Sequence, residues 1–192
     1  MTYSPLIQKA VTFAIKVHQL DAKQMRKGKA VPYITHPLTV GLIISRVTDD
    51  ENTIIAGLLH DTIEDCKPRG SITKEMIARE FNQDVARMVD DVTEKAKELP
   101  WLERKLQALA HIKDMKADSV IVKSADVLHN MIELIQDIEQ DGVSVYEKFN
   151  APKSDVLTRY KKLVPEIKRV APNNPLNSDL EKRLKQLERL SS

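Results

Sequence analysis

A chain of 192 residues, 42% hydrophobic and 30% charged, has enough apolar material for one compact core, which excludes a disordered or fibrous protein. Thirty basic residues against 28 acidic ones leave a formal charge of +2, too balanced for bulk attraction to nucleic acid or an anionic membrane. Only 5 glycines argue against a fold of many tight turns or a glycine-rich phosphate loop, and a single cysteine, Cys66, excludes an internal disulfide and suits a reducing compartment.

The N-terminal residues lack a basic stretch followed by an apolar run, so they do not read as a secretory signal. No segment approaches the ~20 apolar residues of a membrane span. The cytoplasm is the expected compartment. Ser4-Pro5 reads as an N-cap followed by proline at the first helical position. Behind it Leu6, Ile7, Ala10, Val11, Ala14, Val17 and His18 recur at helical spacing. Residues 23–33 form a basic loop. A second helix is expected from about His36-Pro37 to Val47. Proline disfavours the α conformation in the residue before it, so His36 belongs at the helix entrance. Asp49, Asp50 and Glu51 supply cap and first-turn acids for a third helix. Its apolar run 54–59 would also suit a buried strand, but continuation through His60 and Asp61 to Asp65 favours one unbroken helix.

Residues 73–81 and 83–91 read as two short helices. A charged stretch, 93–99, precedes Pro100-Trp101 and a helix to about Met115. Ile121, Ala125, Leu128, Ile132, Ile135 and Ile138 mark one face of a long helix over 119–141 that stops at Gly142. Another helix covers about 150–170. Beyond Pro172 and Pro175, Ser178 with Glu181 makes a capping box, followed by the stripe Leu180, Leu184, Leu187 and Leu190. The expected organisation is a helical domain over 1–171 and a C-terminal amphipathic helix over 172–192, packed on the domain or at a subunit contact. No internal repeat is present.

Chemistry concentrates at His60, Asp61, Glu64 and Asp65. On a helix His60 and Glu64 share a face, as do Asp61 and Asp65, and the two faces adjoin. Three carboxylates beside a buried apolar stretch are costly unless compensated, and a metal ion would offset that cost. On the long helix, Lys123, Asp126, Asn130 and Glu133 are spaced 3, 4 and 3, a polar stripe that faces either solvent or a site. Cys66 has acids for neighbours, which is the wrong setting for a nucleophile. His18 and His111 belong to no motif. His129 lies one position off the stripe, and packing is its expected role.

Taken together, His36, His60-Asp61 and Asp126 resemble the H…HD…D pattern of HD-domain phosphohydrolases. Within that superfamily the longer resemblance is to the hydrolase domain of RelA/SpoT-type alarmone enzymes and their small single-domain relatives. It rests on Arg26-Lys27-Gly28, on Pro32 through Pro37, on Leu58 through Asp65 and on Lys123 through Met131, and covers roughly residues 5–135. The resemblance implies an all-α fold, an HD-domain helical bundle with an extra C-terminal helix. It also implies a divalent metal, usually manganese, with His36, His60, Asp61 and Asp126 as ligands. Two imidazoles and two carboxylates equally suit iron or zinc. By the same resemblance Glu64 and Asp65 are the acid/base pair that positions the attacking water. Arg26 and Lys27 resemble family residues that meet the base or phosphates of a phosphorylated nucleotide, although a charged loop alone is usually just solvated, and Asn130 resembles one that contacts the nucleotide or orients a metal ligand. Lys105, apart from the resemblance, is a further candidate for substrate phosphates, with a surface helix charge as its other reading.

The implied reaction is removal of the 3′-pyrophosphate of guanosine tetra- or pentaphosphate. The sequence departs from the alarmone pattern at Val127, which replaces an arginine, and at Ile132-Glu133, which replaces arginine-threonine. An extra carboxylate at Glu133 would repel a phosphate-rich ligand, which keeps open an HD phosphohydrolase acting on another nucleotide or phosphoester. A non-catalytic nucleotide-binding HD module is a further alternative, although none of the acids it could dispense with is missing. No nucleic-acid or membrane partner is expected. A homodimer through the C-terminal stripe is compatible with the sequence.

Overall fold

The computed structural model describes residues 4–95 and 98–192. Met1 to Tyr3, and Ala96 and Lys97 within the charged stretch 93–99, lie outside the described residues. Among the described residues every regular element is helical, and the only β interaction is an isolated bridge between Met25 and Pro32 across the basic loop.

Helix α1 (Pro5–Ile15) starts where the sequence places it, with the Ser4 hydroxyl accepting from the Ile7 amide at 3.2 Å. It widens into a π-helical turn, Lys16–Asp21, that directs His18 inward to full burial. Helix α2 (Thr35–Ser45) and α3 (Glu51–Leu59) pack closely on each other and on α8 (Ala117–Asp141). Asp50 caps α3 through the Thr53 amide at 2.8 Å, and every residue from Thr53 to Leu59 is buried. Gly41 and Gly57 make this packing possible. A Cβ on Gly41 would lie 2.6 Å from Leu58 Cδ2, and one on Gly57 2.4 Å from Ile44 Cδ1. Missing side chains thus let the two backbones approach.

Helices α5 (Lys74–Glu80) and α6 (Gln83–Val92) are capped by Thr73 and Asn82, and α6 packs on α3 and α8. Helix α7 (Trp101–His111) packs on α9 (Lys153–Val170), and α10 (Asn177–Leu190) packs on α8 and α9. Leu180 and Leu187 of α10 are wholly buried there. The 25-residue α8 is therefore the axis around which the other elements are arranged, and it ends at Gly142 with φ 72°, a conformation that favours glycine.

Two expectations are corrected. The third helix does not run unbroken to Asp65: α3 ends at Leu59, His60 and Asp61 form a turn, and a separate short helix α4 spans Thr62–Asp65. Side chains compete for the carbonyls of the last turn. His60 Nδ1 donates to the Gly57 carbonyl at 2.8 Å, and the Thr62 hydroxyl donates to the Leu59 carbonyl at 2.7 Å. The second correction is the capping box. Helix α10 begins at Asn177, so Ser178 lies inside it, and Glu181 instead pairs with Lys168 at 2.6 Å. An Asn174 turn precedes the helix, its side chain accepting from the Leu176 amide at 3.2 Å, and it starts α10 upstream of Ser178.

Candidate metal centre

His36 occupies the first turn of α2, His60 the C-terminus of α3, Asp61 the turn that follows, and Asp126 the middle of α8. Packing of α2, α3 and α8 brings them to one point. His36 Nε2 lies 3.1 Å from His60 Nε2, 3.6 Å from Asp61 Oδ2 and 3.4 Å from Asp126 Oδ1. His60 Nε2 lies 3.0 Å from Asp61 Oδ2 and 4.0 Å from Asp126 Oδ1. His36, His60 and Asp126 form a buried group whose ligating atoms all lie within 4.8 Å of one another.

The far nitrogens of both imidazoles are engaged elsewhere. A carbonyl only accepts, so His60 Nδ1 carries the hydrogen in its bond to Gly57, and a neutral His60 turns the Nε2 lone pair to the centre. His36 Nδ1 lies 2.7 Å from His129 Nδ1. Burial, then the neighbouring His36, lowers the pKa of His129 to about 4, so it stays neutral at physiological pH and can accept the hydrogen of His36 Nδ1.

The electrostatics call for a cation at this point. Burial alone would raise the Asp61 and Asp126 carboxyls. His60 and His36 hold Asp61 below the usual carboxylate range, and Lys123 and His36 do the same for Asp126. Burial works against a charged His60, yet Asp61 and then Asp126 lift it to about 9. The buried Asp126 and half-buried Asp61 carboxylates thus draw positive charge onto an imidazole. A divalent ion would supply that charge and leave both imidazoles as neutral ligands. The donor set of imidazole nitrogens and carboxylate oxygens fits such an ion, and this His/Asp cluster could bind one.

Around the centre lies a ring of supporting bonds. The Tyr33 hydroxyl donates to Asp61. Asp126 Oδ2 accepts from Lys123 Nζ at 2.9 Å, and Asp126 Oδ1 from Asn130 Nδ2 at 2.5 Å. Asn130 Oδ1 in turn accepts from Arg26 at 3.0 Å, and Arg26 also pairs with Glu133. Lys29 lies 3.7 Å from Glu133 and 2.7 Å from Asp137. Glu133 is therefore charge-compensated rather than a lone repulsive carboxylate. Burial would raise it, but Arg26 holds it below its ordinary value.

A cleft of about 430 Å³ opens above this centre. Its walls include Arg26, Lys27, Asp61, Glu64, Asp65, Lys105, Asp126 and Asn130, so these sequence-predicted positions share one cavity with His36. His60 lies just beneath, 2% exposed. Asp65 Oδ2 accepts from Gln24 Nε2 at 2.9 Å, and Gln24 Oε1 accepts from His18 Nδ1 at 3.0 Å. Glu64 Oε2 accepts from the Glu94 amide at 3.0 Å. Lys27 donates to Asn150 at 3.0 Å. Lys105 pairs with Glu94, and burial with help from Arg159 lowers its pKa to about 8 against the pull of that carboxylate.

Tyr33, His129 and Glu94 have site contacts that the sequence motifs do not assign to them, and Lys123 is marked only as part of a polar stripe. For His129 a signal was present: it lies three residues after Asp126, hence on the same helical face. Tyr33 sits inside the motif that carries His36. Glu94 had no such signal, being one acid in a charged stretch.

An all-helical bundle with a buried His/Asp cluster at the floor of a mixed-charge cleft is thereby defined. Residues 10–157 match the family model described as HD domain, and the chain belongs to the HD domain family. It is 39% identical over 132 residues to the guanosine-3′,5′-bis(diphosphate) 3′-pyrophosphohydrolase MESH1 of Xenopus tropicalis, spanning 67% of this chain and 69% of that protein. A GTP pyrophosphokinase of Myxococcus xanthus is 37% identical over 136 residues, but the match spans only 17% of its length. Among solved structures, that of a metazoan ortholog of SpoT that hydrolyses ppGpp superposes with a TM-score of 0.77 at 24% identity, covering 98% of this chain and 97% of the other. A Listeria monocytogenes EGD-e protein gives 0.71 at 25% identity, covering 80% and 99%. Among the described residues no helix is long and apolar enough to cross a membrane.

Proposed function

We propose that this HD-domain hydrolase removes the 3′-pyrophosphate of guanosine-3′,5′-bis(diphosphate), with a divalent ion, manganese in the first instance, held by His36, His60, Asp61 and Asp126. The observation that carries the reading is the convergence of two buried imidazole Nε2 atoms and two carboxylates within 3.0–4.0 Å at the floor of the cleft. The 39% identity to a pyrophosphohydrolase of that specificity supports the choice of substrate. When bound, the ion supplies Lewis acidity, lowering the pKa of a water and drawing charge from a phosphoryl oxygen.

The chain's own residues do the rest. Glu64 and Asp65 line the cleft beside Asp61, where a carboxylate can orient water and take up its proton. The Glu94 amide and Gln24 fix their oxygens. Arg26, Lys27 and Lys105 offer positive charge to the nucleotide's phosphates. Asn130 ties Arg26 to Asp126 and so links the nucleotide side of the cleft to the centre. Water adds across the bond between the 3′ oxygen and phosphorus, giving guanosine 5′-diphosphate and pyrophosphate.

The test is a screen of phosphorylated nucleotides against the metal-stripped protein resupplied with Mn²⁺, Fe²⁺ or Zn²⁺, with products identified by ion exchange and ³¹P resonance. Pyrophosphate release from guanosine-3′,5′-bis(diphosphate) is expected. Turnover of other phosphoesters with none of this compound would overturn the substrate assignment. In Glu64→Ala, turnover should fall by ~10²–10⁴-fold while metal affinity stays near that of the wild type. Equal loss of both would move Glu64 into the ligand set.

A further inference from the structure

Glu94 follows α6 and forms part of the wall of the cleft, its side chain only 6% exposed. Four cations surround it. Lys105 Nζ pairs with Oε1, Arg104 Nε lies 2.9 Å from Oε2, and Lys123 and Arg159 both act on its charge. All four line the same cleft as Asp61 and Asp126. Lys123 also pairs with Asp126 at 2.9 Å, so among the described ion pairs Glu94 is the carboxylate that answers Lys105 and Arg104.

That answer is incomplete. Glu94 Oε2 and Arg104 Nε are both buried and, despite their 2.9 Å approach, neither makes a hydrogen bond among the described residues. The charges meet but donor and acceptor are misaligned, an arrangement costly to bury. Carboxylates pair well with guanidinium and ammonium groups, yet a diphosphate carries more charge and more acceptor oxygens on the same scale.

Building on the phosphohydrolase reading above, we propose that Glu94 is an internal counter-anion of a diphosphate subsite formed by Arg104, Lys105, Lys123 and Arg159, and that an incoming diphosphate group takes the place of its carboxylate. Glu94 then sets a threshold. A single phosphate gains little over the carboxylate it must displace, whereas two linked phosphates reach more of the cations. Specificity for a diphosphate ester over a monophosphate ester follows from this competition.

The test is calorimetric and needs no turnover. Chain freed of metal on a chelating resin is titrated at pH 7 with inorganic pyrophosphate and, separately, orthophosphate. Glu94→Gln should bind pyrophosphate at least tenfold more tightly than the wild type, and its preference for pyrophosphate over orthophosphate should shrink. If Glu94 merely holds Lys105 in place, the same substitution would weaken pyrophosphate binding or leave it unchanged, and either result overturns the proposal. Should Glu94→Gln fail to fold, Glu94→Asp withdraws the carboxylate by one methylene. It should move affinity in the same direction, and equal or weaker binding overturns the proposal there too. Tightened binding without hydrolysis of guanosine-3′,5′-bis(diphosphate) would sink the substrate reading alone. Hydrolysis with unchanged binding would sink the counter-anion alone.

Discussion

Lys105 holds its proton less firmly than an exposed lysine because burial, and then Arg159, disfavour the charge, and Glu94 only partly restores it. With the folded value near 8 and the ordinary one at 10.5, the folded chain sheds this proton in a window where the unfolded chain still binds it. The contribution to stability therefore rises with pH between the two values. Anion binding runs the other way, because the neutral amine no longer attracts a phosphate. KM for the polyphosphate substrate should rise about tenfold for each pH unit above 8, with little effect on kcat. Lys105→Arg should flatten that rise, since guanidinium stays charged throughout. A KM profile that is flat in the wild type would remove Lys105 from the substrate contacts. His129 invites a second measurement at this scale. Its Nδ1 lies 2.7 Å from His36 Nδ1, so it selects the His36 tautomer that presents Nε2 to the centre. His129→Phe keeps the ring but loses the acceptor, and Mn²⁺ affinity measured by titration should fall by roughly 10–100-fold. Undiminished affinity would reduce His129 to packing.

At the scale of elements, the site depends on how closely α2 and α3 approach. In Gly41→Ala the new methyl would meet Leu58 at Cδ2 and also at Cγ, 2.9 Å away, so the whole side chain must move and not only its tip. Overpacking costs ~1–3 kcal/mol, against ~1 kcal/mol gained from helix propensity. Each net kcal/mol lowers Tm by roughly 2–4 °C for a chain of this length. Calorimetry should show that fall together with weaker cation binding, because α2 carries His36; an unchanged Tm would mean that the interface yields freely. Much of the helical order was legible in the sequence because local chemistry decides it: Ser4 and Asp50 cap where they stand, and Gly142 stops α8. The turn at His60-Asp61 was not legible, since periodicity carries an apolar run straight through it and only side-chain bonds to the Gly57 and Leu59 carbonyls end it. The start of α10 was lost for a related reason, an asparagine turn outranking a serine cap. His60 and Asp61 were legible as candidates because an imidazole and acids stand beside a buried run, and Asp126 because it lies on a polar stripe, whereas His36 became one only through the resemblance to HD-domain phosphohydrolases. Glu94 and its cations meet only through the tertiary packing of α7, α8 and α9 around the segment after α6, which no local pattern encodes.

For the whole molecule, a cation bound at the proposed centre would be a crosslink that the chain makes with itself. His36, His60-Asp61 and Asp126 come from three separate helical regions, and the core between α2, α3 and α8 is otherwise held by apolar contacts such as Val40, Ile55 and Val127. A cation gripped there binds only the folded state, since an unfolded chain cannot gather ligands from three distant segments. At a free concentration of 100 times Kd, binding adds ~2.7 kcal/mol, which corresponds to a rise in Tm of roughly 5–11 °C at this chain length. Thermal unfolding of the metal-stripped protein with and without Mn²⁺ measures this directly. Asp126→Asn preserves shape and keeps one of the two acceptor oxygens, but withdraws one charge from the centre, so its Tm should respond little to Mn²⁺ while its helical circular dichroism persists. A full upward shift in that variant would show that the ion stabilises the fold from somewhere other than the buried cluster, and the metal centre would have to be sought elsewhere in the chain.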